Sequence, residues 1–530
     1  MTAIPTPSLA ETTPLRPPRK VKFAYSLGGA GDALFTTAAG FIFFYYTAVL
    51  GLSGSLVGAA LFIGLCADAG VDPFIGSWSD NLQSRFGRRA PLMFIGAPLT
   101  ALALGLLFTP PSGLSPTLLF VWLAVTSVAV RAFISVFWVP YLALGAEMAD
   151  GYVERSSIVA WRVVVGILTS ILITALAYSV FFAGEGGLQS PDRYPAFGWS
   201  VAALVLAAMT LCCLGVYRFA ASLPKVASVD VSMARRLPGE VAEILRNRSF
   251  RILFFSAVIF YAAVGANGTL NTHSQLFVWK LRPEMMQFVG YAYLAGILAG
   301  IPLTPQLTRR LEKRTVVLVG LGLVLVSWVV LPLVWVSGLY RPEGAAATIA
   351  LAANSAMAGI GVGFAMIAYP SMMADAADEH EFLFHRRREG LYFAGLGFAA
   401  KAASGVGVLV AGLALDAMRF PREAGRAVGI ELPADVLTRL LLAWGPGSAV
   451  VALIAMVLFA PPMRWAGCAM RRFRPRSDAA ELRRRPRRLK PQARRRHRRQ
   501  ARTARMRRPA AIRVGSTTPA GSRVRPRAAR

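Results

Sequence analysis

Twelve long apolar runs constrain the fold of this 530-residue chain more than any other feature. An α-helix rises about 1.5 Å per residue, so about 20 apolar residues cross the hydrocarbon core of a bilayer. Hydrophobic residues make up 55% of the sequence and charged residues only 16%, which is too apolar for a soluble protein of this length. We therefore predict an all-α integral membrane protein with twelve transmembrane helices, at residues 24–49, 55–78, 91–109, 117–145, 157–183, 197–220, 252–277, 287–307, 315–338, 346–373, 391–415 and 438–461.

A polar stretch between the sixth and seventh runs predicts two six-helix bundles. Basic turns follow the second and the eighth runs, at Arg85–Arg89 and Arg309–Arg314, so the two halves repeat each other weakly. Parallel repeats of this kind are typical of transporters whose binding site lies near the bilayer midplane. We divide the chain into a cytoplasmic N-terminal segment, a first bundle, a cytoplasmic linker, a second bundle and a basic tail, at residues 1–22, 23–220, 221–250, 251–463 and 464–530.

The net charge of +31 comes mainly from the tail. Residues 464–530 hold 25 Lys and Arg against two acids, so they carry +23 and leave +8 for the rest of the chain. This acid-poor tail cannot form a core, and we predict a disordered segment that binds anionic lipid or has no role, without a specific nucleic-acid partner. Elsewhere the basic residues fall in every second loop. This alternation predicts that both termini lie on the cytoplasmic side of the membrane, which we expect to be a bacterial inner membrane.

Two carboxylates lie inside the second apolar run. Asp68 and Asp72 are four residues apart and therefore share one face of a helix. A charge at membrane depth costs at least ~2.5–3.5 kcal/mol, which indicates a function and requires a partner. The predicted partner is Lys401, about 15 Å inside the eleventh run, and Pro73 is expected to loosen the helix beside Asp72. The pattern favours proton or cation exchange, although a purely structural ion pair would also explain it.

Stretches in both halves carry a family resemblance. The turn after the second run, Gly76-x₃-Asp80…Arg85-x-Gly87-Arg88-Arg89, resembles the signature loop of the major facilitator superfamily. From residue 20 to about 465, the chain is similar to the glycoside–pentoside–hexuronide:cation symporter family (melibiose-permease-like). The resemblance implies a major facilitator fold and secondary transport. The stretches that carry it are Tyr45–Ser53, Asp68–Gly76, Val139–Arg162, Arg246–Arg251 and Ala374–Lys401.

The resemblance also implies a cation site and a substrate site. In that family the two acids of the second helix bind the coupling cation near a lysine of the eleventh helix, and these positions match Asp68, Asp72 and Lys401. An acid of the first helix that contacts sugar matches Asp32, and an arginine of the fifth helix matches Arg162. From the residues alone, Asp32 could also be a solvated acid beside a glycine patch, and Arg162 an interfacial anchor.

Departures from the family pattern concern the ion and the substrate. An asparagine that helps to bind Na⁺ corresponds to Val71, so only Ser135 remains as a neutral oxygen beside the acids, and H⁺ is favoured over Na⁺. A carboxylate that binds galactosides in the family corresponds to Trp138, and an aromatic residue that stacks on the sugar corresponds to Leu142. These changes argue against a galactoside and leave Trp138 as a candidate for ligand stacking or for packing. A branch of the family that carries lysophospholipids also has an apolar pocket here.

Charged residues at the cytoplasmic ends of the helices form a candidate gate. Their simple interpretation is solvated turn charge. The resemblance implies that they form salt bridges between the halves in an outward-open state, and the two interpretations can coexist. The residues are Asp80, Arg85, Arg88, Arg89, Glu147, Asp150, Glu154, Arg155, Asp375, Asp378, Glu381 and Arg388.

These features together predict a secondary active transporter rather than an enzyme. It would couple H⁺ or Na⁺ to the symport of a sugar or glycoside-like small molecule by alternating access, as a monomer in the bilayer. Asp32, Trp138 and Arg162 would complete the substrate cavity. The histidines lack metal-ligand spacing, so we predict no metal centre and no cofactor besides the coupling ion. The alternatives are an uncoupled facilitator or a lysolipid carrier of the same fold, and a membrane sensor that does not transport.

Overall fold

The computed structural model describes residues 16–223, 239, 242–385, 389–422, 424–425 and 432–460. The expectations for residues 1–15, for most of the linker, for Arg388 and for the basic tail lie outside these described residues. Within them, twelve helices are long and apolar enough to cross a membrane. They are α1 Arg19–Val49, α2 Gly54–Asn81, α3 Ala90–Leu107, α4 Pro116–Glu147, α5 Val153–Phe181, α6 Arg193–Ser222, α7 Arg248–Val278, α8 Pro283–Thr308, α9 Lys313–Val336, α10 Gly344–Phe384, α11 Gly390–Ala417 and α12 Ala434–Phe459.

The prediction of twelve apolar helices is confirmed, and the largest difference in a boundary is at the end of the tenth helix. The tenth helix ends at Phe384, well beyond the predicted end at residue 373. Hydropathy falls where acids begin at Asp375, yet the helix continues because one of its faces still packs against the protein. The buried residues on that continuation are Ala376, Ala377, Glu379 and His380.

Helix α2 continues through Pro73 without interruption from Gly54 to Asn81. Proline removes a single N–H donor, and neighbouring helices can support the rest of the turn. The expected loosening beside Asp72 therefore does not break the helix. As a result, Asp68 and Asp72 stay in helical register on one face.

The helices pack as two groups of six, as the predicted fold requires. In the first group α1 packs on α5 and α6, α4 packs on α2 and α3, and α3 also packs on α6. In the second group α10 packs on α8 and α9, and α7 packs on α11 and α12. Most of the contacts between helices thus lie within one half.

The main contact between the halves is that of α2 with α11. Two glycines approach each other most closely there: a Cβ at Gly412 would lie 2.1 Å from the carbonyl oxygen of Gly54, and a Cβ at Gly54 would lie 2.6 Å from that of Gly412. Any larger side chain would separate the backbones. Gly405 lies against Leu65 further along the same pair of helices, so the contact extends toward Asp68.

The two ends of the helical bundle carry different residues. We call the end with the loops 50–53, 182–192 and 279–282 the latched face, because side chains form hydrogen bonds between the halves there. We call the opposite end, with the turns 82–89, 148–152 and 309–312, the basic face.

Candidate functional site

Two facing helices form the polar centre of the first half. Helix α2 carries Gly64, Asp68 and Asp72 at four-residue intervals, and α4 carries Arg131 and Ser135 at the same spacing. A Cβ at Gly64 would lie 3.3 Å from Cδ of Arg131, which is tighter than an ordinary contact. The missing side chain at Gly64 therefore leaves room for Arg131 beside the acids.

Both carboxylate oxygens of Asp68 have partners. The residue is only 5% exposed. Its Oδ1 accepts a hydrogen bond of 2.8 Å from the Ser135 hydroxyl. Its Oδ2 lies 3.2 Å from Nζ of Lys401 and 3.9 Å from Nη1 of Arg131. Burying a carboxylate at membrane depth is costly unless it has such charge and hydrogen-bond partners.

The ammonium group of Lys401 joins the two halves through the acid pair. Lys401 lies on α11, and its Nζ is 2.7 Å from Oδ2 of Asp72 on α2. The side chains of Lys401 and Asp72 are 40% and 30% exposed, so this pair is more accessible than Asp68. The structure thus brings together all four residues predicted for the cation site: Asp68, Asp72, Lys401 and Ser135. Their role in coupling stays a prediction.

Arg131 belongs to this cluster, and the sequence analysis missed it. The signal was present, because Arg131 lies within the apolar run 117–145 and four residues before Ser135. An intramembrane arginine is by default functional and paired, and the i,i+4 spacing places it on the face of Ser135. The family resemblance directed attention to Ser135 and Trp138 instead.

The predicted substrate residues Asp32 and Arg162 lie near each other. Asp32 on α1 is partly buried and lies within electrostatic range of both Arg162 and Lys401. The stem of Arg162 on α5 packs against α1, since a Cβ at Gly29 would lie 2.7 Å from its Cγ. Together with Lys401, these residues offer one acceptor and two cationic donors to a polar ligand.

Trp138 contacts this region through two tyrosines. Its ring stacks on that of Tyr141, with 5.1 Å between centroids. The Tyr141 ring in turn stacks on Tyr25 of α1 at 4.3 Å. Each tyrosine hydroxyl donates to the backbone carbonyl of the other, at 3.0 and 3.2 Å. Trp138 is itself partly exposed. One face of its ring therefore packs on the tyrosine pair that joins α1 and α4, while part of the side chain stays accessible.

Several of the predicted gate residues form contacts within their own halves. Arg89 binds both Asp80, at 2.5 Å, and Glu147, at 2.8 Å. Arg88 also binds Glu147, at 2.8 Å. Arg155 Nε donates a hydrogen bond to the Ala149 carbonyl, and the Arg85 guanidinium lies over the Phe86 ring. Ion pairs join Lys313 to Asp375 and Lys22 to Glu154. Asp378 is exposed. The predicted salt bridges between the halves stay a prediction.

Polar contacts join the halves at the latched face. The Asp416 carboxylate accepts from the backbone N–H groups of Gly54 and Ser55, each at 2.8 Å. Glu284 of α8 accepts from the Gly184 N–H at 2.5 Å. Gln287 donates to the Ser179 hydroxyl at 2.9 Å. These bonds must break for this face to open.

His273 lies at the centre of the latched face and has no exposed surface. Its Nε2 lies 3.0 Å from Oγ1 of Thr47 on α1. The Thr47 hydroxyl already donates to the Phe43 carbonyl at 2.7 Å, so His273 supplies the proton from Nε2. Its Nδ1 is buried and has no hydrogen-bond partner among the residues that the structure describes. The ring is enclosed by aromatic contacts with Phe43, Phe44, Phe277 and Phe420.

Comparison with known proteins agrees with this architecture. The sequence matches the family described as "MFS/sugar transport protein" over residues 24–461. The isoprimeverose transporter of Lactiplantibacillus pentosus is 25% identical over 406 residues, which cover 76% of this chain and 80% of the relative. The sodium-dependent lysophosphatidylcholine symporter 1 of Mus musculus is 25% identical over 488 residues, covering 83% of this chain and 84% of the relative.

A solved structure shares the fold at low sequence identity. The bacterial homologue of the human lysosomal transporter Spinster, in an inward-facing and unoccupied conformation, is 11% identical. It superposes with a TM-score of 0.58 and covers 83% of this chain and 95% of that one. Since the family match covers most of the sequence and the helices pack accordingly, this protein belongs to the MFS/sugar transport family, as its resemblance to the glycoside–pentoside–hexuronide:cation symporters predicted.

Proposed function

We propose that this transporter is a cation-coupled symporter of a sugar or glycoside-like small molecule in a bacterial inner membrane. The observation that supports the proposal most strongly is the ion pair between Lys401 of α11 and the acid pair Asp68 and Asp72 of α2. It joins the two halves, so whatever neutralises the acids also changes how the halves hold together. We favour H⁺ as the coupling ion, because Val71 offers no oxygen for Na⁺.

The acid pair acts as a switch in this proposal. A proton on Asp68 or Asp72 removes part of the attraction for Lys401, whose flexible stem can then move toward Asp32. The substrate completes a cavity lined by Asp32, Arg162 and Trp138, and the bundles rock around it. Coupling requires that the fully loaded and the empty forms interconvert more readily than the half-loaded forms.

The proposed orientation places the basic face in the cytoplasm. The positive-inside rule favours this orientation for the turn Arg85–Arg89 and for Arg309–Arg314. The latched face would then be periplasmic, and the conformation described here would be closed to the periplasm. Alternating access would require the bonds of Asp416, Glu284 and Gln287 to break when the transporter opens outward.

A lysolipid carrier is the second candidate function. In α4, Leu142 is 39% exposed and Trp138 is partly exposed, so this helix offers apolar surface where a sugar carrier would place polar groups. The similarity to a lysophosphatidylcholine symporter supports the same alternative. A sensor without transport is the weaker alternative, because a scaffold gains nothing from charge at membrane depth.

Uptake into vesicles that contain the purified protein tests the proposal. The panel holds radiolabelled isoprimeverose, other glycosides, hexuronates and a lysophosphatidylcholine, and a pH or Na⁺ gradient is imposed and then collapsed. We expect a sugar to accumulate with the pH gradient and to leak out when that gradient is collapsed. Lysophospholipid uptake alone would support the second candidate, and no uptake of any compound would contradict transport of these classes.

A double variant links uptake to the proposed coupling site. We expect Asp68→Asn/Asp72→Asn to abolish accumulation against the gradient. Asp435→Asn is the matched control, because it makes the same change in an exposed carboxylate on α12, whose one ion-pair partner among the described residues is Arg439. The coupling proposal fails if the double variant accumulates substrate as well as the wild type does.

A further inference from the structure

The intramembrane cluster around Asp68 contains two acids and two bases. The acids are Asp68 and Asp72, and the bases are Lys401 and Arg131, which both approach the same Oδ2 atom of Asp68. Charges taken out of water are tolerated when each has a counter-charge nearby. The cluster is therefore electrically balanced by the chain's own residues.

The two bases differ in how they can respond to a change in charge. Lys401 is 40% exposed and carries its charge on a flexible stem, so it can leave the acids. The Arg131 side chain is 21% exposed and lies against Gly64. Its guanidinium is planar, stays charged at physiological pH and does not give up its proton. Arg131 is thus the fixed positive charge of the cluster, and Lys401 is the movable one.

We propose that Arg131 is a built-in counter-ion that occupies the place of a metal cation beside Asp68 and thereby excludes Na⁺ as the coupling ion. This inference rests on the proposed function, because a coupling ion exists only if the protein is a cation-coupled transporter. When Lys401 leaves, the two acids and Arg131 together carry one negative charge, which a single proton neutralises. Without Arg131 the same acids carry two negative charges, an arrangement that attracts a metal cation.

The geometry around Asp68 also limits the oxygen ligands for Na⁺. Hard cations require several oxygen ligands. Oδ1 of Asp68 accepts the Ser135 proton at 2.8 Å, and Oδ2 faces both bases. A metal ion near Oδ2 would lie beside the guanidinium and be repelled by it. A proton needs no coordination shell and binds the carboxylate oxygen directly.

Sodium-dependent thermal stability of the full chain in nanodiscs tests this inference without any substrate. Melting temperatures are measured in NaCl and in choline chloride at equal ionic strength, since a ligand that binds only the folded state raises the melting temperature. We expect no Na⁺-specific shift for the wild type or for Arg131→Lys, which keeps the charge. We expect Arg131→Met to gain a Na⁺-specific shift of about 3 °C or more at saturating NaCl.

Further variants test whether the Na⁺-specific shift in melting temperature depends on the cluster around Asp68. Arg218→Met removes an exposed arginine of α6 and should behave as the wild type. The double variant Arg131→Met/Asp68→Asn should lose the gained shift, because the carboxylate that would bind Na⁺ is gone. If Arg131→Met does not fold, Arg131→Gln replaces it in the same comparison.

Several results would overturn the inference. A Na⁺-specific shift in the wild type would show that Arg131 does not exclude the ion. A folded charge-removing variant without the shift would assign Arg131 another role, such as binding an anionic substrate. Because this measurement needs no transport, failure of the uptake experiment and failure of the Na⁺ inference can be told apart.

Discussion

The carboxylate of Asp416 on α11 accepts the backbone N–H of Gly54, the first residue of α2, at 2.8 Å. The next N–H, that of Ser55, binds the other carboxylate oxygen at the same distance. The first N–H groups of a helix have no partner within the helix and carry partial positive charge. A side chain of one half therefore caps a helix of the other half, at the end that we propose opens to the outside.

Replacing this cap should shift the balance between conformations. Asp416→Asn removes the negative charge and one of the two acceptors. An acid at an exposed helix N-terminus contributes about 0.3–1 kcal/mol, so the population with an open latched face should rise up to about 5-fold. Spin labels at Ser53 and Arg419 report this opening as a longer distance by pulsed electron paramagnetic resonance. Asp435→Asn is the control, and an unchanged distance distribution for Asp416→Asn would contradict a latch.

The hydrogen bond between Thr47 and His273 should stabilise the same face. Thr47→Val leaves both ring nitrogens of buried His273 without partners, at a cost of about 1–3 kcal/mol. We expect a lower melting temperature for Thr47→Val and near wild-type stability for Thr47→Ser. The double variant Thr47→Val/His273→Phe should recover most of the loss, because phenylalanine suits the aromatic surroundings and has no polar atoms. A double variant as unstable as Thr47→Val would refute this account.

The sequence predicted the helices well because hydropathy and helix length are local properties. It also predicted that Asp68 and Asp72 share a face, since four-residue spacing alone requires it. Arg131 was predictable by the same reasoning, as a charge in an apolar run, although it was overlooked. Residues that carry charge at membrane depth can thus be identified from the sequence even when their partners are far away along the chain.

The latched face was not predictable in this way. Asp416 binds backbone N–H groups, which every residue except proline has, so nothing in the sequence near Gly54 marks it as a partner. His273 is enclosed by rings from α1, α7 and the loop after α11, which meet only when the halves pack. The extension of α10 beyond residue 373 was missed because its packing, and not its mean hydropathy, continues the helix.

Removing the movable charge of the polar cluster should affect stability and coupling differently. Among the described residues, Lys401→Met leaves Arg131 beside Asp68 and no base in an ion pair with Asp72, so we expect a lower melting temperature. Gradient-driven uptake of the substrate found in the vesicle panel should fall about 10-fold or more, because neutralising the acids would no longer release an ion pair between the halves. Asp72→Asn/Lys401→Met should recover the melting temperature but not the gradient dependence. Recovery of both would mean that the ion pair is only structural.

The close approach of Gly54 and Gly412 should be necessary for the latched face to form. In Gly412→Ala the new Cβ would lie 2.1 Å from the Gly54 carbonyl oxygen, so α2 and α11 must move apart and stretch the bonds from Asp416. We expect the spin-label distance between Ser53 and Arg419 to increase. We also expect a lower melting temperature, because overpacking typically lowers the free energy of unfolding by about 1–3 kcal/mol. Gly268→Ala on α7 is the matched control, because no atom of the described residues lies within 4 Å of its new Cβ, and alanine there should be neutral or slightly stabilising. If both variants keep the wild-type distance and melting temperature, the helices have enough freedom at Gly412 to absorb a methyl group, and glycine is not required for closure.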